Sequence, residues 1–158
     1  VPGNCSPAGL TNEGRAVFLG RFTHAIDDKG RLAIPARFRE AFRGQGVLTR
    51  GIDRCLTLYP MDSWQPLAEK VSSLSISDPD ARAFRRMVFA EATVVEFDRQ
   101  GRILLPPELR AYAGLEREAI VVGVHSYVEI WSPENWAAQA ELLAAEGPSI
   151  AQRLATLI

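Results

Sequence analysis

Two cysteines and two histidines are all that 158 residues contain of the commonest metal ligands and nucleophiles. Cys5 and Cys55 are too few and too far apart for a disulfide framework or a zinc site. His24 and His125 stand alone, with no thiol or carboxylate at ligand spacing and no nucleophile signature nearby. The chain has no P-loop, no strand-borne G-x-G-x-x-G and no G-x-S-x-G. Nothing therefore indicates an enzyme, a metal or a cofactor. Each histidine reads as an ordinary strand residue, and Cys55, between Arg54 and Leu56, as a small buried hydrophobe. Long apolar runs are missing too: charges interrupt every one before the roughly 18 residues that a membrane span needs. Val1 to Arg15 lacks the apolar core of a secretion signal. What remains, 47% hydrophobic and 23% charged residues, is globular composition, expected of a soluble cytoplasmic protein with one ordinary domain or two small fused halves.

Global charge is also lacking, at −1 with 18 basic and 19 acidic residues. Its distribution is uneven. Between Arg21 and Arg50 stand seven positive residues against three negative ones, whereas Glu134 to Ile158 holds three glutamates and one arginine. The first window could face phosphate, although a charge run of this size is commonly just a solvated face.

The stronger signal is an internal repeat. Asp27, Gly30, Arg31, Pro35 and Arg39 recur in the same order as Asp98, Gly101, Arg102, Pro106 and Arg110. Gly51, Leu58, Tyr59 and Trp64 then align with Gly123, Ile130, Trp131 and Trp136 after one extra residue. Each copy reads as strand, tight turn, strand, short helix, two strands and a longer helix. Gly30 and Gly101 can adopt the positive φ of a tight hairpin, and Pro35 and Pro106 end a strand and suit a first helical turn. Asp62 or Ser63 can cap the helix through Trp64 and Val71, Ser132 the one after it in the second copy, and Ser77-Asp78-Pro79-Asp80 starts a helix between the copies. Gly147-Pro148 is expected to break the last helix. Neither copy has enough apolar faces for its own core, so the two are expected to interdigitate as a pseudo-dimer.

The recurring polar element is Asp-x-x-x-Arg, Asp27 with Arg31 and Asp98 with Arg102. One reading is a staple: the Asp accepts turn N–H groups and pairs with the Arg, fixing the hairpin. The other is a twofold basic surface of Lys29, Arg31, Arg99 and Arg102, since a two-stranded ribbon fits the DNA major groove and arginine suits the guanine edge. Both can coexist in one motif.

These doubled hairpins, Asp27 to Pro35 and Asp98 to Pro106, resemble those of the MraZ family of bacterial transcriptional regulators. Phe18-Leu-Gly-Arg-Phe22 is similar to the family's opening and Val128-Glu-Ile-Trp131 to its second-domain ending. The likeness runs from about Val17 to about Gln139. It implies an α+β fold of two tandem SpoVT/AbrB-like halves, each a β-hairpin and short helix, joined as a swapped-hairpin barrel with flanking helices. The expected divisions are an unstructured extension over 1–16, a first domain over 17–76, a connecting helix over 77–92, a second domain over 93–140 and a helical tail over 141–158. The family pattern begins near Phe18, so the preceding residues depart from it. The resemblance further implies a nucleoid-associated repressor of the division and cell-wall gene cluster, its own gene included. It would bind direct repeats in double-stranded promoter DNA as a ring-shaped homo-oligomer, with no membrane partner and no small-molecule substrate. DNA-facing positions would be Lys29, Arg31, Arg99, Arg102 and Arg37. Asp27, Gly30, Asp98 and Gly101 would be motif residues, while Arg39 and Arg110 lie near that surface or serve as internal ion-pair partners. The charge windows suggest that the first hairpin contributes more. The competing reading is a protein-interaction module of an antitoxin-like type, docking through the acidic helix that carries Trp136, Leu142 and Leu143.

Overall fold

The computed structural model describes residues 10–12 and 15–158. Strands β1 (Leu10–Asn12) and β2 (Arg15–Val17) pair antiparallel, Thr11 opposite Ala16. The extension expected to be unstructured thus contains a short ladder, too brief for alternation to be legible in the sequence; its residues 1–9 and 13–14 lie outside the described residues. The first copy follows as β3 (Arg21–Ala25), β4 (Arg31–Ala33), α1 (Ala36–Phe42), β5 (Gln45–Arg50), β6 (Leu56–Tyr59) and α2 (Met61–Ser72). Helix α3 (Pro79–Ala90) leads to the second: β7 (Thr93–Glu96), β8 (Arg102–Leu104), α4 (Pro107–Ala113), β9 (Glu118–Gly123), β10 (Val128–Trp131) and α5 (Pro133–Leu154). This is the expected α+β order.

The strands exchange partners between copies. A six-stranded antiparallel sheet runs β3-β9-β10-β6-β5-β7, so each copy's first strand bonds to the other copy's fourth-element strand: β3 to β9 and β7 to β5. A separate ribbon pairs β4 with β8. Its middle register sets Leu32 opposite Ile103, which are repeat-equivalent, and the central ladder of the large sheet likewise sets Thr57 opposite Glu129. Equivalent residues face each other only on a twofold axis. Sheet and ribbon close on one core drawn from both copies, with Leu32, Phe38 and Leu58 beside Ile103, Leu109 and Ile130. The pseudo-dimer follows from this shared burial, because neither half could desolvate its apolar face alone.

Three local expectations are corrected. Helix α2 starts at Met61 after Pro60, whose carbonyl accepts from the backbone of Ser63 and Trp64; Asp62 sits within the first turn, where its charge favours the helix dipole, and neither it nor Ser63 is the cap. The other two starts are capped as read: Asp78 Oδ1 accepts from Asp80 N at 2.9 Å, and Ser132 Oγ from Asn135 N at 3.0 Å. Second, α5 continues through Gly147-Pro148 to Leu154. Proline removes one i→i−4 bond, to Ala144, and on this exposed stretch water can serve that carbonyl, while Glu141-Leu-Leu-Ala-Ala-Glu146 favours helix on its N-terminal side. Third, Arg50 opposite Leu56, rather than Gly51, holds the place that Gly123 holds opposite Val128. The loops after β5 and β9 differ in length, which shifts the register by one.

Candidate nucleic-acid interface

Both tips are built alike. In the first, Gly30 N donates to Asp27 O at 3.0 Å and Asp27 N to Arg31 O at 3.0 Å; in the second, Gly101 N donates to Asp98 O at 3.0 Å and Asp98 N to Arg102 O at 2.9 Å. Gly30 and Gly101 have φ of 84° and 75°, the left-handed region where a Cβ is disfavoured. The carboxylate completes each turn. Asp27 Oδ1 accepts from the backbone N–H of Lys29 (3.0 Å) and Arg31 (2.9 Å), and Oδ2 from Arg31 Nε at 2.7 Å. Asp98 does the same with Gln100, Arg102 and Arg102 Nε at 2.8 Å. Arg102 Nη1 also reaches across to Asp27 Oδ2 at 3.4 Å, tying the tips together. The Arg31 N–H foremost, with its guanidinium and the Lys29 N–H, holds the Asp27 carboxyl down at about 2 against the opposing effect of burial. Asp98 is lowered by the corresponding groups. Both stay ionised at any physiological pH.

The staple is therefore real, and it does not use up the arginines. Each intra-tip pair is made through Nε, so the Asp27 contact leaves both Nη nitrogens of Arg31 for other acceptors. Alternation along the ribbon sends Leu32 and Ile103 into the core and puts Arg31, Ala33, Arg102 and Leu104 on the outer face. Arg31 lies opposite Leu104, and Ala33 opposite Arg102. Leu104 is 58% exposed, an apolar residue between two cations that the sequence reading overlooked. Applying the two-residue period to both copies at once would have found it.

Lys29 and Arg99 are exposed on the tips. Arg37 is not brought to them: its guanidinium lies 5.2 Å over the Phe22 ring, near the start of β3 rather than at its Asp27 end. Arg39 and Arg110 are buttresses. Arg39 donates from Nε to Ile34 O at 2.6 Å and packs where a Cβ on Gly101 would stand; Arg110 donates to Glu116 O at 2.9 Å and lies behind Gly30. Each arginine thus supports the other copy's tip. The glycines are needed for this close approach as much as for φ. In the same exchange, Ile34 N donates to Gly101 O at 3.0 Å and Leu105 N to Gly30 O at 2.9 Å.

Much of the first copy's excess positive charge lies away from its tip. Arg21 stands 5.8 Å over Trp136, Arg50 4.4 Å over Tyr112, and Arg39 is the buttress just described. At the tips themselves the first has Asp28 where the second has Arg99. No His/Cys/Asp/Glu group able to hold a metal occurs among the described residues. His24 is half-buried, and burial together with the Arg39 charge pushes its pKa down, so it stays neutral. Burial, with Glu129 and Asp53 nearby, pushes the Cys55 thiol up to about 12, which makes it inert. No helix among the described residues is long and apolar enough to cross a membrane.

Comparison with known proteins adds to this geometry. The family described as "MraZ protein, putative antitoxin-like" matches twice, over residues 17–87 and 88–157. A protein of Thermomicrobium roseum named Transcriptional regulator MraZ is 99% identical over 142 residues, 90% of this chain and all of that protein. Proteins of the same name from Herpetosiphon aurantiacus and Moorella thermoacetica are 47% identical over 138 residues and 54% identical over 120. These cover 87% and 76% of this chain, and 96% and 84% of the relatives.

Proposed function

Because the chain belongs to the MraZ family, we propose that it is a transcriptional regulator, not an enzyme, which reads promoter DNA with the β4·β8 ribbon. The observation that carries this reading is the outer face of that ribbon. Two arginines related by a twofold axis are oriented by carboxylates through Nε, leaving both Nη atoms of Arg31 and Nη2 of Arg102 for acceptors such as the O6 and N7 of guanine. Lys29 and Arg99 on the tips contact phosphate, and Leu104 between the arginines meets thymine methyl groups. Arg37, stacked on Phe22, would meet the backbone at the flank. The tips carry little net charge, so a single chain binds weakly. Assembly into a ring-shaped homo-oligomer would set several ribbons on successive direct repeats and raise avidity. Occupied promoter DNA is denied to polymerase, and the chain would so repress the division and cell-wall gene cluster and its own gene.

The test is fluorescence anisotropy on the duplex upstream of the chain's own gene, beside a scrambled duplex, at two salt concentrations. Arg31→Ala should cost about 1–3 kcal/mol per site and relax sequence preference. Affinity for the upstream duplex unchanged in a folded Arg31→Ala protein would overturn the assignment. A second reading rests on α5, where Leu142 and Leu143 are 43% and 47% exposed: an antitoxin-like module docking another protein. Equal weak binding to both duplexes, with an unrelated chain retained by the intact protein and lost on truncation after Ser132, would favour it.

A further inference from the structure

The outer face of the six-stranded sheet, opposite the core and remote from the ribbon, is roofed by α2 and α3. Between sheet and roof lies a cavity of about 250 Å³. Leu67, Phe84 and Met87 make its upper wall apolar, whereas Tyr59, Tyr127 and Glu129 line its floor. Thr49 Oγ1 donates to Val88 O at 2.9 Å and holds the last turn of α3 over it.

Glu129 is the unexplained group. It sits on the twofold axis opposite its equivalent, Thr57, so the fold itself accepts a neutral residue at this position. Its Oε1 accepts from Trp131 Nε1 at 3.0 Å and the carboxylate also takes a hydrogen bond from the Cys55 thiol, yet among the described residues no lysine or arginine pairs with it. Arg50, the one cation in the lining, holds its guanidinium over Tyr112. A half-buried carboxylate without a counter-ion is costly: burial pushes its pKa up, and a bound cation would offset the cost that otherwise favours the protonated form. Beside it the Tyr59 and Tyr127 rings lie 5.1 Å apart. A carboxylate flanked by two electron-rich rings under an apolar roof is the chemistry that recognises an alkylated ammonium ion. An anion would be repelled, and a neutral apolar ligand would gain nothing from the carboxylate.

We propose that the cavity between α2, α3 and the sheet binds a small organic cation of the alkylammonium class, its charge on Glu129 and its alkyl groups against Tyr59 and Tyr127. The test is calorimetry on the full chain without DNA, so that its outcome is independent of the promoter reading. The probes are choline and the carbon isostere in which the quaternary nitrogen is replaced by carbon. Choline should bind saturably, and the isostere about tenfold more weakly or not at all. Glu129→Gln keeps an acceptor for Trp131 and should lose about tenfold in choline affinity. Tyr127→Leu, at a partly exposed ring, should weaken choline likewise and decides the matter if Glu129→Gln does not fold. No saturable heat with choline, equal affinity for the isostere, or wild-type affinity in the folded variants would overturn the proposal.

Discussion

At the first tip Asp27 receives two guanidinium groups, Arg31 at 2.7 Å and Arg102 at 3.4 Å, whereas the bonds to Asp98 come from its own tip alone among the described contacts. Behind the second tip Arg39 is pressed against Gly101, whereas behind the first Arg110 approaches Gly30 only with the end of its side chain. The repeat has imposed one backbone on both hairpins without making their surroundings equal. Arg102 is shared by two carboxylates and Arg31 is engaged by one. Equivalent positions in the sequence therefore need not contribute equally to binding or stability.

The sharpest break of this comparison uses the glycines. A Cβ on Gly101 would overlap the middle of the Arg39 side chain, which is fixed by its bond to Ile34 O. A Cβ on Gly30 would meet Arg110 Nη1 at 3.0 Å, a milder approach that a shift of a few tenths of an ångström relieves even with Nη2 held by its bond to Glu116 O. Both alanines suffer the strain of positive φ. Gly101→Ala should cost about 2–4 kcal/mol and Gly30→Ala about 1–2. Urea unfolding reads both. Equal losses would mean that φ alone decides and that the buttress is inessential.

The shared arginine comes next. Removing Arg102 frees both carboxylates of a partner, while removing Arg31 leaves Asp27 with Arg102. Arg102→Ala should lower the unfolding midpoint by the equivalent of about 1 kcal/mol, and Arg31→Ala by less, since such part-exposed pairs are individually weak. Anisotropy and thermal melting on the same preparations separate the two roles. A greater loss of stability in Arg31→Ala would show that the cross-tip contact does not operate in solution.

Titration distinguishes the carboxylates. Asp27 has a folded pKa of about 2 against a reference of 3.8, so its ionised form stabilises the fold above the unfolded value, and that stabilisation is lost as pH falls toward 2. Asp27→Asn should be less stable than wild type at neutral pH and should flatten the decline of stability between about pH 5 and pH 2. Asp98→Asn should flatten it in the same direction. Melting curves across this range check the sign. A steeper acid decline in Asp27→Asn would refute the assignment.

How much of this could be read in the chain itself depended on range. The Asp27–Arg31 and Asp98–Arg102 pairs, the positive φ of Gly30 and Gly101 and the caps at Asp78 and Ser132 are local, so the spacing of a few residues contained them. The shared core was legible because each half visibly lacked one. The buttressing by Arg39 and Arg110 was not, because it depends on which copy each helix packs against. Arg37 is expected near the DNA surface only through the family resemblance, and the stacking on Phe22 that fixes where its charge lies depends on contacts that spacing does not contain. The register after β5 slipped because loop length, rather than matching glycines, decides which residues pair. The passage of α5 through Pro148 reflects exposure, which a single helix cannot reveal from its sequence.

The smallest expected effect lies at the ends of the two short helices. Both α1 and α4 close with a left-handed residue, but α4 uses Gly114 at φ 68° and α1 uses Arg43 at φ 54°. The sequence after α1 has its glycine one place later, at Gly44, which is itself at φ 88°. Arg43 therefore carries a steric penalty from its Cβ that Gly114 avoids. Glycine at this position relieves the clash while enlarging the entropy of the unfolded chain, so the net gain is a fraction of the strain. Arg43→Gly should stabilise the protein by about 0.5–1 kcal/mol, and Gly114→Arg should destabilise it by at least as much. Arg43 is exposed and is not a residue of the ribbon, although it borders the concavity that Asp98 and Arg99 line, so its replacement should change affinity for the upstream duplex little. A stabilised Arg43→Gly protein with reduced DNA affinity would instead place the end of α1 on the binding surface and extend the interface beyond the hairpins.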